Sequence, residues 1–547
     1  MKNFSFANRI QNIGKMKSQE FDLVIIGGGI NGAGVARDAS ARGMKVALVE
    51  SRDFASGTSS KSSKLIHGGI RYLENMEFKL VFEALNERTK LFEMAPHLVH
   101  PLRFMLPLYE ESRVGMGKMG LGMWLYDALA LFQVPEMHER LNAQESLERM
   151  PAMRSEHLKG SYVYSDAYMD DDRLVIETLR SANENGAVCA NYVKAIGAKF
   201  ADGHVIGVEC EDTVTNEKFT IQARHVISTV GPWTDQLGSA LFKDWKKILR
   251  PTKGIHLTLP KHRLPLTSAV VMAAEKSDRI VFGIPRHEMI IIGTTDTDFK
   301  ESPENVTVTP EDVEYLLGIL DHYFPGAKIT THDIIASYAG VRPLVADDSE
   351  SEGKTSREHS IIADPRGVTF VAGGKYTTYR LMCEQTVEKA LHFFGLEEKV
   401  KFAKKNTATP LNPYTSPDLF HQAQAQADAW AKELGRAPED TRMLAERYGL
   451  EAIEILNKYP ESYSYWQLEA AQAIEQTMCL HLRDFYARRV PLFLADRNHG
   501  LHHLDEICEV FQDMMGWTDA HIEREKHMLK DYMAHELEWK KHTVPGT

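Results

Sequence analysis

Cysteine is scarce in this chain of 547 residues, which has five cysteines with no two close in sequence. An odd number without close pairs argues against a disulfide framework and against a zinc site, so we expect no metal. A reducing cytosol is therefore the predicted compartment. Attachment to the inner face of the cell membrane stays open.

Long hydrophobic runs and an excess of basic residues are also missing. No stretch of about twenty uncharged apolar residues would span a bilayer, and we see no secretory signal. The formal net charge is −12, and basic and aromatic residues do not interleave as in single-strand binding proteins. These absences argue against a membrane-spanning protein and against nucleic acid as a partner.

Residues 21–50 have the layout of a dinucleotide-binding βαβ unit. The apolar run 23–26 predicts a buried parallel strand, 30–42 predicts a helix, and 45–49 predicts a second strand. The chain is 547 residues long and 43% hydrophobic, which is enough for two or three globular domains.

Five residues of this unit are predicted to bind the dinucleotide. Gly27 permits the tight turn, Gly29 lets the backbone approach a pyrophosphate, and Gly32 lets the helix pack close to the strand. The helix start, with Asn31, presents N–H groups to the phosphates. Glu50 lies about twenty residues downstream, where an acid accepts hydrogen bonds from a ribose. The acid disfavours NADP but does not separate NAD from FAD.

A run of small hydroxyl residues follows at 56–63 and leads into His67. Hydroxyls and backbone donors can bind the second phosphate and a ring system without steric conflict, so we expect a phosphate-lined wall rather than a linker. The hydroxyl residues assigned to the cofactor are Ser56, Thr58, Ser59, Ser60 and Ser62.

The middle of the chain predicts further α/β structure and then a sheet of another kind. Asp172 is a plausible cap for a helix over 173–185, and short strands follow. This part is similar to the later half of a flavin-binding domain, in which Val193 borders the adenine and the turn at Gly231 and Trp233 approaches the cofactor. Alternation over 253–298 then predicts an inserted antiparallel sheet, with a hairpin of 279–284 and 289–294.

A second glycine turn before a helix occurs far downstream. The strand 368–372 runs into Gly374, Lys375, Tyr376 and Thr377 and then a helix from about 379. Backbone donors at such a junction suit the pyrimidine end of an isoalloxazine, which gains negative charge on reduction. Two distant glycine-to-helix junctions fit FAD better than NAD.

The predicted fold class is α/β, with a Rossmann-like FAD-binding domain, an inserted antiparallel-sheet substrate domain and a C-terminal all-helical domain. A basic leader takes 1–20, the oxidoreductase region 21–404, and the helical domain 405–547. Within the oxidoreductase region we assign FAD-binding segments to 21–100, 170–235 and 335–395, and substrate-binding segments to 101–169 and 236–334.

Two segments are candidates for lying on a membrane surface. The leader has basic residues and apolar residues at helical spacing, which also fits a helix packed on its own domain or a disordered tail. The segment 114–132 is rich in methionine, glycine and aromatic residues. Its early glycines argue against a regular buried helix, leaving a mobile loop over a pocket or an interfacial segment.

Five motifs together resemble the FAD-dependent glycerol-3-phosphate dehydrogenases over essentially the whole chain. They are FDLVIIGGGINGAGVARDAS, SSKLIHGGIRYLE, STVGPW, AGVRPL and GGKYTTYR. The absence of an EF-hand pattern disfavours the calcium-regulated mitochondrial form, and the short loop between Arg342 and Lys375 lacks the insertion of the oxygen-using oxidases. A bacterial, quinone-linked dehydrogenase fits best.

The resemblance implies oxidation of sn-glycerol 3-phosphate to dihydroxyacetone phosphate by hydride transfer to FAD. A quinone is then the electron acceptor, and the protein touches the membrane surface; a homodimer stays open. Arg71, Arg342 and Lys375 are the cations carried over for the phosphate, and Tyr72 can add a hydrogen bond.

Two histidines are candidates for accepting the hydroxyl proton. His67 is the first, and it can equally serve to hold the flavin; His256 is the second, placed in the substrate pocket. Arg342 can alternatively stabilise a developing alkoxide, which would make it catalytic. An oxygen-using glycerophosphate oxidase, an FAD amine or amino-acid oxidase, and a flavin-containing scaffold without catalysis are the competing interpretations.

Overall fold

The computed structural model describes residues 1–74, 76–273, 279–346 and 359–542, without the side chain of Arg71. The strands are β1 (Glu20–Ile26), β2 (Val46–Val49), β3 (Leu65–Ile66), β4 (Val99–Tyr109), β5 (Glu139–Asn142), β6 (Leu158–Met169), β7 (Val188–Ala190), β8 (Val193–Ala201), β9 (His204–Asp212), β10 (Glu217–Ser228), β11 (Leu249–Pro260), β12 (Ala269–Ala273), β13 (Ile280–Arg286), β14 (Met289–Gly293), β15 (Thr297–Asp298), β16 (Ser337–Val345), β17 (His359–Asp364) and β18 (Val368–Gly373). The helices are α1 (Phe6–Ser18), α2 (Ile30–Ala41), α3 (Phe78–Met94), α4 (Met116–Leu129), α5 (Ala143–Arg149), α6 (Asp171–Glu184), α7 (Thr234–Leu241), α8 (Pro310–Tyr323), α9 (Tyr379–Ala390), α10 (Leu396–Lys401), α11 (Pro417–Glu433), α12 (Pro438–Tyr448), α13 (Glu451–Lys458), α14 (Tyr465–Gln476), α15 (Leu482–Asp484), α16 (Leu492–Ala495), α17 (Leu504–Met515) and α18 (Asp519–Glu536).

The first sheet carries the predicted βαβ unit. Within the described ranges its strand order is β17, β18, β10, β1, β2 and β7, with β9 and β8 added beside β10. Strand β1 is parallel to both β2 and β10, and β18 is parallel to β10. The parallel strands have covered faces, which explains their continuous apolar runs. The predicted strand, helix, strand order of residues 21–50 is confirmed.

Helix α2 packs against its neighbours at unusually close range. A Cβ added at Gly34 would lie 2.5 Å from the Cys383 sulfur on α9. Nearly all of α2 is buried, and half of its residues are alanine or glycine. The small side chains therefore let two helices and the sheet enclose the start of α2 tightly.

The second sheet is the predicted insertion. Its order is β15, β11, β14, β13, β12, β4, β6 and β3 within the described residues, with β16 beside β11 and β5 beside β6. The β13–β14 hairpin is antiparallel as predicted, and β4 with β12 is a parallel pair. Strand β16 lies in a segment assigned from sequence to FAD binding, but it belongs to this second sheet. The predicted FAD-binding segments therefore contribute strands to both sheets.

The leader folds as a helix on its own domain. In α1, Ile13 and Met16 are buried, and Arg9 forms an ion pair with Asp212 at 2.6 Å. Arg9 is only 1% exposed. The packed-helix alternative is therefore confirmed, and one of the leader's cations is unavailable to lipid.

Most of the segment 114–132 forms helix α4 (Met116–Leu129), so the loop alternative is wrong. Glycine lowers helix propensity but does not forbid a helix where tertiary contacts stabilise it. Met123, Tyr126 and Asp127 are its buried residues, whereas Leu121 is 74% and Trp124 58% exposed. The helix thus presents an apolar face outward.

The C-terminal helices share a core with the second sheet. One apolar cluster joins residues of β4, β6 and β13 to residues of α14, α17 and α18. Arg489 and Arg488 contact the buried Asp53 carboxylate, at 2.8 and 2.6 Å. Burial alone would raise the pKa of Asp53, but the two arginines hold it below its ordinary value.

Three sequence predictions about helices need correction. The spacing of apolar residues over 465–488 predicts a single helix, but α14 ends at Gln476, and a π-helical turn (Phe485–Arg489) follows α15. The sequence pattern does not predict helix α17. Asp170, not Asp172, occupies the N-cap position of α6. Among the helices of the described ranges, none is both long and apolar enough to cross a bilayer.

Candidate functional site

A cavity of about 720 Å³ is lined by residues of both sheets. The predicted site residues in its wall are Gly27, Gly29, Asn31, Glu50, Thr58, Ser59, Ser62, His67, Tyr72, Val193, Gly231, Trp233, His256, Arg342, Gly374, Lys375, Tyr376 and Thr377. Gly32, Ser56 and Ser60 are not among the lining residues. Arg71 belongs to the 3-10 turn Ile70–Leu73, but its side chain lies outside the described part of the chain.

The glycine turn after β1 leaves no room for side chains. Gly27 has φ 107°, and a Cβ there would lie 2.8 Å from the Thr229 carbonyl oxygen. A Cβ at Gly32 would lie 1.9 Å from the Gly27 carbonyl oxygen. Gly32 therefore brings the start of α2 against the turn without lining the cavity. The first turn of α2 contains no acidic residue, so the positive helix end is available to phosphate.

Glu50 is fixed by the same turn. Its Oε2 accepts a hydrogen bond from the Gly28 amide at 2.7 Å, and its Oε1 accepts one from the Arg52 amide at 2.9 Å. These bonds orient the carboxylate at the tip of β2, where the cavity wall passes. A carboxylate so placed can accept hydrogen bonds from ribose hydroxyls.

The hydroxyl run is only partly a cavity wall. Ser59 Oγ accepts a hydrogen bond from the Ile30 amide at 3.0 Å, and Thr58 Oγ1 donates to the Val341 carbonyl at 2.7 Å. Ser60 is 8% exposed, and its amide donates to the Gly57 carbonyl. Ser56 bonds back to Asp53 through its amide. The 3-10 turn at Thr58–Ser60 directs some of these residues away from the cavity, a feature that composition does not reveal.

The cavity wall formed by β11 and β16 contains two glycines. Gly254 and Gly340 are directly paired across these two antiparallel strands, and both line the cavity. A Cβ at Gly254 would lie 2.2 Å from an Arg342 nitrogen. A Cβ at Gly340 would lie 2.6 Å from the Lys61 Cβ, so the two glycines leave room for the Arg342 and Lys61 side chains against the sheet.

Arg342 and Lys375 bring positive charge to the cavity wall. Arg342 Nη1 lies 3.1 Å from Asp296 Oδ1, and Arg342 Nη2 donates to Thr294 Oγ1 at 2.8 Å. The ammonium of Lys375 lies 3.4 Å from the centroid of the Tyr72 ring. Asp296 orients Arg342. Sequence reasoning missed Asp296, because nothing distinguishes this acid within the run of threonines and aspartates that follows β14.

His256 is a neutral imidazole in this wall. It is 2% exposed, stacks on Tyr338, and its Nε2 lies 2.8 Å from Ser63 Oγ. Burial, and then the nearby Arg342 and Lys64, hold the pKa of His256 well below its ordinary value. At neutral pH the ring can therefore accept a proton only weakly, but it can hydrogen-bond. Ser63 is a polar wall residue that sequence reasoning did not assign.

His67 connects two motifs that are far apart in sequence. Its amide donates to Thr377 Oγ1 at 3.2 Å, and the same hydroxyl lies 3.3 Å from the His67 carbonyl oxygen. Its ring lies edge-on to Phe282 of β13, with centroids 6.3 Å apart. The segment after β3 and the glycine turn after β18 are thus held together at the cavity.

Trp233 also lines the cavity. The guanidinium of Arg52 lies 4.8 Å from the centroid of this ring. Val193 and Gly231 are further lining residues. The cavity wall thus combines an aromatic side chain, a phosphate-binding turn and cations, a set of features that fits FAD.

Two family models match the chain. The model described as FAD dependent oxidoreductase matches residues 22–380. The model described as C-terminal domain of alpha-glycerophosphate oxidase matches residues 418–522. Together they cover the two sheets and most of the C-terminal helices.

Individual relatives match over nearly the full length. Aerobic glycerol-3-phosphate dehydrogenase of Staphylococcus saprophyticus is 35% identical over 526 residues, 94% of each chain. The protein of the same name from Staphylococcus aureus is 35% identical over 519 residues, 93% of each chain. The crystal structure of glycerol-3-phosphate dehydrogenase from Bacillus halodurans, complexed with FAD, superposes with a TM-score of 0.81 at 29% identity, covering 98% of this chain and 99% of that one.

Proposed function

Because this chain belongs to the FAD-dependent oxidoreductase family, we propose that it oxidises sn-glycerol 3-phosphate to dihydroxyacetone phosphate in glycerol catabolism. Electrons then pass to a quinone at the inner face of the cell membrane. The relatives named aerobic glycerol-3-phosphate dehydrogenase support the substrate. The observation that carries the proposal is the presence of both Arg342 and Lys375 in the wall of one dinucleotide-sized cavity.

The cations account for the choice of a phosphorylated alcohol. A guanidinium can bind two phosphate oxygens at once, and an ammonium adds a point charge. Because Asp296 and Thr294 already orient Arg342, little side-chain freedom is lost when it meets an anion. Tyr72 and Arg71 complete the proposed phosphate clamp. An amine or amino-acid substrate would leave these positive charges without a matching dianion.

Oxidation of the central carbon requires that its hydroxyl proton leaves. When bound, FAD supplies the hydride acceptor for this carbon. His67 remains the proposed base, because it lines the cavity and its backbone is anchored on Thr377. His256 is better suited to bind or orient the hydroxyl, since its low pKa makes it a weak base. Arg342 can stabilise the oxygen while the proton leaves.

Helix α4 supports contact with the bilayer. Its exposed face carries Leu121, Trp124 and Leu125, and Leu131 and Phe132 continue the apolar surface beyond the helix. The exposed residues between 116 and 133 include one cation, Lys118, and no acid. A helix face of leucine and aromatic residues without acids suits the headgroup boundary of a bilayer, where a quinone is accessible.

Anaerobic reduction tests the proposed reaction. Purified enzyme containing FAD is mixed with glycerol 3-phosphate in the absence of oxygen, and the flavin absorbance is followed. We expect rapid bleaching, and little bleaching with glycerol or an amino acid at the same concentration. Unchanged absorbance with glycerol 3-phosphate would contradict the proposal. Peroxide release in air, at the rate of substrate oxidation, would instead indicate the oxygen-using oxidase.

A further inference from the structure

We propose that Asp166 is a positioning residue for the His67–Gly68 peptide and that Tyr126 links this peptide to helix α4. Asp166 lies on β6, behind the cavity wall, and does not line the cavity. The inference extends the proposed function, because it gives the surface helix a physical connection to the site.

The Asp166 carboxylate gathers hydrogen bonds from three separate elements. Its Oδ1 accepts one from the Gly68 amide at 3.3 Å and one from Arg88 Nη1 on α3 at 2.6 Å. Its Oδ2 accepts one from the Tyr126 hydroxyl on α4 at 2.7 Å. Asp166 is 1% exposed. A buried carboxylate needs such donors, so loss of one of them disturbs the other two.

Gly68 makes this contact possible because it has no side chain. A Cβ at Gly68 would lie 2.5 Å from the Tyr126 hydroxyl oxygen and 2.6 Å from a Leu85 methyl carbon. The backbone of the loop therefore packs directly onto α3 and α4. Any other residue at this position would separate the loop from Tyr126.

His67 is thereby held from two sides. On one side, its backbone bonds to Thr377 of the downstream glycine turn. On the other side, the next amide in the chain bonds to Asp166. The direction of the His67 side chain follows from these two anchors. A shift of the Gly68 amide would move the imidazole relative to the substrate without removing any group that contacts it.

The opposite face of α4 is exposed and apolar. Tyr126 points inward, while Leu121, Trp124 and Leu125 are exposed on the same helix. Contact of this face with a bilayer rests on the proposed function. Such contact would act on the His67–Gly68 peptide through the Tyr126 hydroxyl group. Lipid binding and active-site geometry are then coupled.

Two conservative variants and one matched control test the coupling. Tyr126→Phe and Asp166→Asn weaken the network, whereas Tyr162→Phe removes a hydroxyl that donates to the Met116 carbonyl of α4 without touching Asp166. Amide hydrogen exchange of residues 64–72 is measured on each FAD-loaded protein. We expect exchange there to rise about tenfold in Tyr126→Phe and Asp166→Asn and to stay as in the wild type in Tyr162→Phe.

Kinetics separate positioning from general destabilisation. We expect kcat to fall about tenfold in Tyr126→Phe, with KM and FAD retention within about twofold of the wild type, because the base is displaced while Arg342 and Lys375, which lie outside residues 64–72, still bind the phosphate. If exchange at 64–72 and kcat of Tyr126→Phe both equal the wild-type values, the inference is wrong. Tyr126→Phe loses only a hydroxyl, so we expect it to fold even if Asp166→Asn does not.

Hydrogen exchange in the presence of lipid vesicles tests the link to lipid. Phosphatidylglycerol and phosphatidylcholine vesicles should change exchange at 64–72 in the wild type and leave it unchanged in Tyr126→Phe. If the wild type does not bind the vesicles, the proposed membrane contact fails, while the effect of Tyr126→Phe without vesicles still decides the role of Asp166. Equal responses of both proteins to bound vesicles would overturn the link through Tyr126.

Discussion

The ammonium of Lys375 lies over the ring of Tyr72, 3.4 Å from its centroid. Lys375 follows the glycine turn after β18, and Tyr72 belongs to the 3-10 turn Ile70–Leu73. A cation over an aromatic face is stabilised by the ring quadrupole, more strongly when water is excluded. The ring therefore places the positive charge in the cavity wall, close to where the proposed phosphate clamp is needed.

Lys375→Met should weaken selection of the phosphorylated substrate. We expect kcat/KM for glycerol 3-phosphate to fall about 10- to 100-fold, because a charge-assisted hydrogen bond is lost, and FAD to remain bound. Steady-state kinetics and flavin absorbance measure both quantities. Lys194→Met is the control, since Lys194 also lines the cavity but is not assigned to the phosphate clamp. Equal losses in the two variants would remove Lys375 from the clamp.

Arg342→Ala should retain flavin and lose most of kcat/KM for glycerol 3-phosphate. The expected loss is about 100-fold or more, because both the phosphate contact and the stabilisation of the reacting oxygen are candidates for this guanidinium. Arg250→Ala is the matched control, since Arg250 on the neighbouring strand β11 pairs with Asp298 and does not line the cavity. Turnover of Arg342→Ala at the wild-type rate would exclude Arg342 from the site.

Gly32→Ala should prevent FAD retention. The added methyl carbon would lie 1.9 Å from the Gly27 carbonyl oxygen, so the turn must shift, at a cost of about 1–3 kcal/mol or more. Flavin content and thermal unfolding measure the effect. Gly14→Ala on α1 meets nothing within 4 Å and should keep FAD, with stability equal or up to about 1 kcal/mol higher. Full flavin content in Gly32→Ala would contradict the packing argument.

The double substitution of Leu121 and Trp124 by serine should reduce vesicle binding. We expect the affinity for anionic vesicles to fall about tenfold or more, because two large apolar side chains no longer enter the bilayer surface. Co-sedimentation measures it. Serine at Leu396 and Val400, which are 80% and 72% exposed on α10, is a control that removes two exposed apolar side chains elsewhere. Equal effects of both pairs would argue against a specific α4 surface.

His225 should make the protein less stable in mild acid. Burial lowers the pKa of His225 to about 3, while its nitrogen bonds to Thr369. Below pH 6.5 the unfolded chain takes up a proton that the folded chain refuses, so stability is complete above pH 6.5 and falls as the pH decreases towards 3. Between pH 7 and pH 5 this amounts to about 2 kcal/mol.

His225→Gln keeps a hydrogen-bonding group without this proton uptake. Its free energy of unfolding should therefore fall about 2 kcal/mol less between pH 7 and pH 5 than that of the wild type. Denaturant unfolding at both values measures the difference. His262→Gln, at an exposed position, serves as the control and should behave as the wild type. A wild-type pH response in His225→Gln would show that the ring is protonated in the folded state.

Local features of the chain were predicted well because their causes are local. The turn at Gly27 needs a positive φ and the apolar run of β1 needs cover on both faces, and both requirements are visible within thirty residues. The β13–β14 hairpin follows from alternation around a short turn. Helix α4 was not predicted, because contacts distant in sequence outweighed the low helix propensity of its glycines.

The chain by itself determined a dinucleotide turn, a second glycine turn and a small set of candidate cations and histidines. Only the tertiary structure decided which side chains and backbone groups contact one another: Lys375 with Tyr72, His256 with Ser63, and Asp166 with Gly68 and Tyr126. Such pairs depend on strand register and on burial across hundreds of residues. Hydrogen-bond partners and pKa values follow from that burial, which no local pattern of residues encodes.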